Sequence, residues 1–111
     1  MIDEESVLRN LKALPDVTGA VVWRTGRAPV GLLSEPLNSS ATGLLSAGVG
    51  SIEEVVAMAG VGKIEDLCFR TKMTQCLALR CDDWQAIVLS PRDADAGRLR
   101  NAISELLRQT V

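Results

Sequence analysis

Two short, uninterrupted apolar runs limit what this chain can fold into more than any other feature. They are Gly19-Ala20-Val21-Val22-Trp23 and Ala86-Ile87-Val88-Leu89. A strand wetted on one face alternates apolar and polar side chains, because successive side chains point to opposite faces. Neither run alternates, so each reads as a strand covered on both faces and placed at the centre of a sheet.

The remaining elements fall around these two. Asp3 is an N-cap for a first helix in which Glu4 and Glu5 suit the positive end of the dipole. Val7, Leu8, Leu11 and Leu14 form its apolar stripe, and Pro15 stops it. The first strand runs from Val17 to Thr25, and Thr25-Gly26 turns it into a second from Arg27 to Leu33, where Pro29 marks a sheet edge. Ser34 to Ser40 is a loop, and a long helix follows from Ser40 to Ala59, ended by Gly60-Val61-Gly62. Gly43, Gly48 and Gly50 each weaken that helix by up to about 1 kcal/mol.

Lys63 to Arg70 reads as a third strand, too polar to be central. Gln75–Cys81 is a fourth and Trp84–Ser90 a fifth. Asp93 and Asp95 open the last helix, whose buried stripe is Leu99, Ile103, Leu106 and Leu107. Hairpins join strands 1–2, 3–4 and 4–5, which leaves one economical order, 2-1-5-4-3. The expectation is a single α/β (α+β) domain over residues 1–111. It is a three-layer sandwich of five antiparallel strands with helices on both faces.

Composition narrows the function. Histidine and tyrosine are both absent, which removes the commonest general base, the commonest zinc ligand and every Cys–His or Ser–His pair. The net charge is −2 and the 12 basic residues are scattered along the sequence, so neither nucleic acid nor an anionic membrane is an expected partner. No apolar stretch is long enough to insert in a membrane. Three cysteines, Cys68, Cys76 and Cys81, form no closed disulfide set and fit a reduced, cytoplasmic setting.

Two motifs imitate chemistry. Ala57-Met58-Ala59-Gly60-Val61-Gly62-Lys63-Ile64 holds the Gly-Lys pair of a phosphate loop but lacks the first glycine and the final Ser or Thr, and it follows a helix instead of opening one. Cys76 and Cys81 are a close pair with no histidine to complete a zinc site. The carboxylate pairs Glu53-Glu54 and Asp82-Asp83 read as solvated surface and turn. No catalytic residue, metal or cofactor is expected.

The second helix is the informative element. Its only charges are Glu53 and Glu54. One stripe, Ala41-Leu44-Leu45-Gly48-Ile52-Val55-Val56, suffices to face the sheet. A second stripe, Gly43-Ala47-Gly50-Ser51-Glu54-Met58, is mostly small. A helix so low in charge is normally covered on more than one side, and small side chains admit a close partner.

Val17-Thr18-Gly19-Ala20-Val21-Val22-Trp23-Arg24-Thr25-Gly26 resembles the first hairpin of the roadblock/LC7 domains. Ala86 through Arg100, including Gly97 and Arg98, is similar to their last strand and final helix. The resemblance spans nearly the whole chain. Trp23-Arg24 departs from it, since many members carry an acidic residue before the turn glycine. The resemblance implies a homodimer in which third strands pair edge to edge, through Glu65, Leu67 and Phe69, and second helices meet. It also implies a non-enzymatic role in binding, regulating or scaffolding a small Ras-like GTPase in motility or polarity. The alternative reading is a ligand-sensing or structural adaptor domain of similar layering with no GTPase partner. Should hydrolysis on a partner be accelerated, Arg24, Arg27, Arg70 and Arg80 are the arginines to consider as inserted groups.

Overall fold

The computed structural model describes residues 3–32, 38–62 and 64–109, with the side chains of 32 and 38–46 outside that description. The order is α1 (Glu4–Lys12), β1 (Gly19–Arg24), β2 (Val30–Leu32), α2 (Asn38–Met58), β3 (Asp66–Arg70), β4 (Thr74–Cys81), β5 (Trp84–Pro91) and α3 (Ala96–Arg108). The strands form one antiparallel sheet in the expected order, β2-β1-β5-β4-β3.

The apolar runs sit where their chemistry requires. β1 and β5 pair in the middle, with Val21 opposite Ile87 and Ala20 opposite Val88. Alternation then divides the core. Ala20, Val22, Leu77, Leu79, Trp84, Ala86 and Val88 face α1 and α3, against Val7, Leu8, Leu11, Leu99, Ile103 and Leu107. Val21, Trp23, Ala78 and Ile87 face the other way, against Val49 of α2. The helices therefore lie on both faces, α1 and α3 together and α2 alone.

Local signals explain the helix ends. The Asp3 carboxylate accepts from the Ser6 N–H at 2.9 Å, and Asp95 accepts from the Arg98 N–H at 3.1 Å. Hydrogen bonds from Ser6, first from its backbone N–H and then from its hydroxyl, hold the Asp3 carboxyl below its ordinary range. At the other end of α1, Lys12 Nζ donates to the Thr18 carbonyl at 2.9 Å and ties the helix to the start of β1. α2 ends at Met58, and Gly60 and Gly62 follow with φ of +73° and +100°, conformations that favour glycine. The phosphate-loop imitation is thus a helix stop leading towards β3; its Lys63 lies outside the described residues.

Several boundaries differ from the sequence reading, each for a local reason. β2 starts only at Val30, because the Arg27 N–H is spent closing a turn onto the Arg24 carbonyl at 2.9 Å and Pro29 has no N–H to give. Leu33 and Lys63, expected strand residues, lie outside the description. β3 proper starts at Asp66, although the Glu65 carbonyl already accepts from the Arg80 N–H at 3.1 Å. α2 begins two residues earlier than expected and runs unbroken through Gly43, Gly48 and Gly50.

The larger correction concerns which side of α2 meets the sheet. Val49 is buried, and Ile52, Glu53 and Val56 are half-buried, whereas Val55 is 66% exposed and Gly48 is exposed as well. The contact line is thus Val49-Ile52-Glu53-Val56, turned away from the expected Gly48-Ile52-Val55-Val56. Ala41, Leu44 and Leu45 of the expected stripe belong to the stretch whose side chains are outside the description.

The face packed by α1 and α3 should dominate stability. Ile103→Ala removes a side chain with no exposed surface and is expected to lower the unfolding free energy by about 2–5 kcal/mol, read from urea denaturation.

Candidate partner-binding surface

The two faces of the sheet are unequally covered. α1 and α3 bury six large aliphatic side chains against one face, while α2, among its described residues, buries only Val49 against the other. Its outer side is open. Ala47, Ser51, Glu54, Val55 and Met58 are all exposed, Met58 at 88%. At about 100° per residue, Ala47 lies about 200° around the helix from Val49, on the side away from the sheet.

Most of the expected small-residue stripe is therefore at the surface. Ala47, Ser51, Glu54 and Met58 share that outer line, and Gly50 is half-buried on its flank. Gly43 belongs to the helix, but its surroundings lie outside the described residues. Val55 joins the line although the sequence reading gave it to the sheet.

Beside α2 lies the β3 edge. Leu67 pairs with Ala78 and Phe69 with Cys76, so both point to the α2 side. Leu67 is half-buried there, Phe69 is 40% exposed, and Glu65 is exposed just before the strand. β3 bonds to β4 alone in the sheet order, which leaves its outer ladder groups unpaired by any described strand. Between Phe69 and α2 runs an apolar groove of about 350 Å³, lined by Gly48, Val49, Ile52, Phe69, Cys76 and Leu89. Beneath α2, near Trp23 and Ala78, the space shrinks to about 10 Å³, room for roughly one water.

Among the described residues, one polar contact seats α2 on the sheet. Arg80 Nη2 donates to Glu53 Oε2 at 2.5 Å across the helix–sheet interface, with both side chains more than half covered. Glu53, read from sequence as solvated surface, is instead turned inward, because Arg80 on β4 offers it a partner. The Arg80 Nε is buried with no hydrogen-bond acceptor among the described residues, where Glu53 is the carboxylate that pairs with this cation.

The other arginines named from sequence are held differently. The Arg24 guanidinium stacks 4.9 Å from the Trp84 ring centre, a cation–π contact at the departure from the family pattern. Arg27 pairs loosely with Glu4 at 3.3 Å. Arg70 ends β3, with its Nε donating to Gln75 Oε1 at 3.0 Å.

The cysteines do not converge. Cys76 packs on the α2 side and Cys81 against the α1–α3 core, so five residues along β4 place them on opposite faces. Burial, and to a lesser extent the nearby Cys68, pushes the Cys76 thiol up to about 11, so it is protonated at neutral pH.

Removing one member of the seating pair should cost more than removing both. Glu53→Ala leaves Arg80 partly buried and unpaired, with an expected loss of about 1–3 kcal/mol in chemical denaturation. The double substitution Glu53→Leu with Arg80→Met is expected to recover most of that loss.

No family model matches the sequence, and no curated protein is significantly similar to it. Solved structures do match. A Roadblock/LC7 domain from Streptomyces avermitilis superposes with a TM-score of 0.71 at 18% identity, over 94% of this chain and 91% of that one. Myxococcus xanthus MglB gives 0.75 at 10% identity, over 96% and 93%. The gliding protein MglB from Thermus thermophilus gives 0.66 at 12%, over 96% and 86%. With the strand order, the helix placement and these end-to-end superpositions together, the chain has the roadblock/LC7 fold.

Proposed function

We propose that the protein is a homodimeric module that binds and regulates, or scaffolds, a small Ras-like GTPase, and that it is not an enzyme by itself. The observation that carries this reading is the continuous uncovered surface formed by the outer side of α2 and the β3 edge. Val55, Met58 and Phe69 are exposed there on one side of the molecule. An apolar helix face beside an open strand edge suits a second copy, because a two-fold axis buries both kinds of surface at once. The likeness to roadblock and MglB structures supports a regulatory role, and the absence of histidine removes the commonest general base for hydrolysis.

The contact set is Ala47, Ser51, Glu54 and Met58 on α2, flanked by Gly43 and Gly50, with Glu65, Leu67 and Phe69 on or beside β3. A GTPase bound to the dimer would have its hydrolysis altered by ordering of its own residues. Arg80 is a poor inserted group because Glu53 holds it at the helix–sheet interface. The setting is cytoplasmic, and no helix among the described residues is long and apolar enough to cross a membrane.

Light scattering on the size-exclusion peak is expected to give about twice 11.9 kDa, and an immobilised sample is expected to retain a small GTPase from its own host. Ala47→Arg places a long cation on the outer line of α2, where a close helix contact has no room for it. It should leave the circular dichroism spectrum unchanged and weaken association by more than about a hundredfold. A variant that remains dimeric and still binds the GTPase would sink the proposed surface.

The repurified protein alone is expected to release no phosphate from GTP or ATP. Sustained release that survives repurification would overturn the non-enzymatic reading.

A further inference from the structure

Three cations meet at the end of the sheet, on the face opposite α2. Arg70 ends β3, Lys72 sits in the turn to β4, and Arg92 follows β5. With Met73, Asp93 and Ala94 they line an open cleft of about 600 Å³. None of the three takes part in an ion pair among the described residues, whereas Arg27, Arg80, Arg100 and Arg108 all do. A chain of net charge −2 thus gathers three cations against the one carboxylate of Asp93 at one place. Like charges held together cost free energy unless something else meets them.

The cleft is also built. Among the described residues the buried polar side chains are Gln75 and Ser90. Gln75 Nε2 donates to Ser90 Oγ at 3.3 Å and to the Ala94 carbonyl at 3.4 Å, and its Oε1 accepts from Arg70 Nε. Burying an amide is unfavourable unless its hydrogen bonds are made, and an aliphatic residue would serve the core at less cost. What the glutamine adds is a fixed Arg70. With Nε held from behind, both Nη groups remain for the paired oxygens of a carboxylate.

Arg92 braces the opposite wall. Its Nη1 donates to the Thr71 carbonyl at 2.6 Å and its N–H to the Met73 carbonyl at 3.2 Å. Thr71 closes the hairpin, its N–H donating to the Thr74 carbonyl at 2.8 Å and its Oγ1 accepting from the Thr74 N–H at 3.0 Å. The walls are therefore set before any ligand arrives.

We infer that this cleft binds an acidic segment of a protein partner, with the Arg70 guanidinium forking onto an Asp or Glu carboxylate and Lys72 and Arg92 attracting its neighbours. Met73, 82% exposed beside the cations, offers apolar contact to a peptide side chain, which neither a free phosphate nor a lipid headgroup would use. The cleft lies on the α3 side of the sheet, so it does not depend on α2-mediated association or on a GTPase.

The test uses the full chain and a fluorescein-labelled octaglutamate peptide, followed by anisotropy at about 20 mM salt, where screening is weak. The expected result is saturable binding that weakens as salt is added. Arg70→Gln and Arg92→Gln should each lower affinity at least about tenfold, while Arg108→Gln, on the far end of α3, leaves it within about twofold. Arg70→Lys keeps the charge but loses the bond to Gln75, and a severalfold loss is expected. Equal losses in Arg70→Gln and Arg108→Gln, or wild-type affinity in Arg70→Lys, would overturn the inference. So would absent peptide binding alongside saturable binding of inorganic phosphate or of phosphatidylserine vesicles.

Discussion

The double-sided apolar pairing of β1 with β5 is the constraint on which the rest of the structure depends. Once Val21 and Ile87 face one way and Ala20 and Val88 the other, neither face of the sheet tolerates water, and helices must cover both. The chain meets this demand unevenly. α1 and α3 arrive capped, strongly amphipathic and close-packed, so their face is finished within one molecule. α2 arrives nearly without charge and, among its described side chains, buries only Val49 against its face. Function is expected where the cover is incomplete, because that is where a further apolar surface lowers the free energy most.

Electrostatics then separates structure from recognition. The Arg80–Glu53 pair holds α2 over the sheet, and Arg24 lies against Trp84. These cations are used internally. Arg70, Lys72 and Arg92 meet no carboxylate in an ion pair among the described residues, and the buried Gln75 orients Arg70 at the cleft. A half-buried pair gives little net stability once desolvation is subtracted, but it fixes the rotation of a helix whose apolar pattern does not.

That rotation marks the limit of what was legible in the sequence. The strand order followed from Pro29 at one edge, the charges before Asp66 at the other, and three short hairpin connections. The Asp3 cap and the helix stop at Gly60-Val61-Gly62 were equally plain. For α2, two overlapping lines of small and apolar residues were available, differing by a fraction of a turn. Val55 and Val56 suit either, so periodicity alone could not choose. The choice came from Arg80, 27 residues beyond Glu53 and brought opposite it by the sheet. The cationic cleft was hidden for a similar reason. Arg70 and Lys72 are neighbours in sequence, but Arg92 joins them through the packing of one hairpin tip against the β5–α3 connection.

The two candidate surfaces are divided between consecutive residues of one strand. Phe69 points to the α2 side, and Arg70 points to the α3 side. A slip of one residue between β3 and β4 would exchange them, placing the cation against α2 and the aromatic ring in the cleft. β3 is short and mostly exposed, so burial holds its register weakly. Polar contacts at its two ends do that instead. The Arg80 N–H bonds to the Glu65 carbonyl where the strand begins, and Arg70 Nε bonds to Gln75 where it ends. Arg80 also reaches Glu53 on α2, and Gln75 also reaches Ala94 before α3. The register of the edge strand is thereby tied to the elements on both faces, so a sheet edge with little core of its own can present two different surfaces back to back.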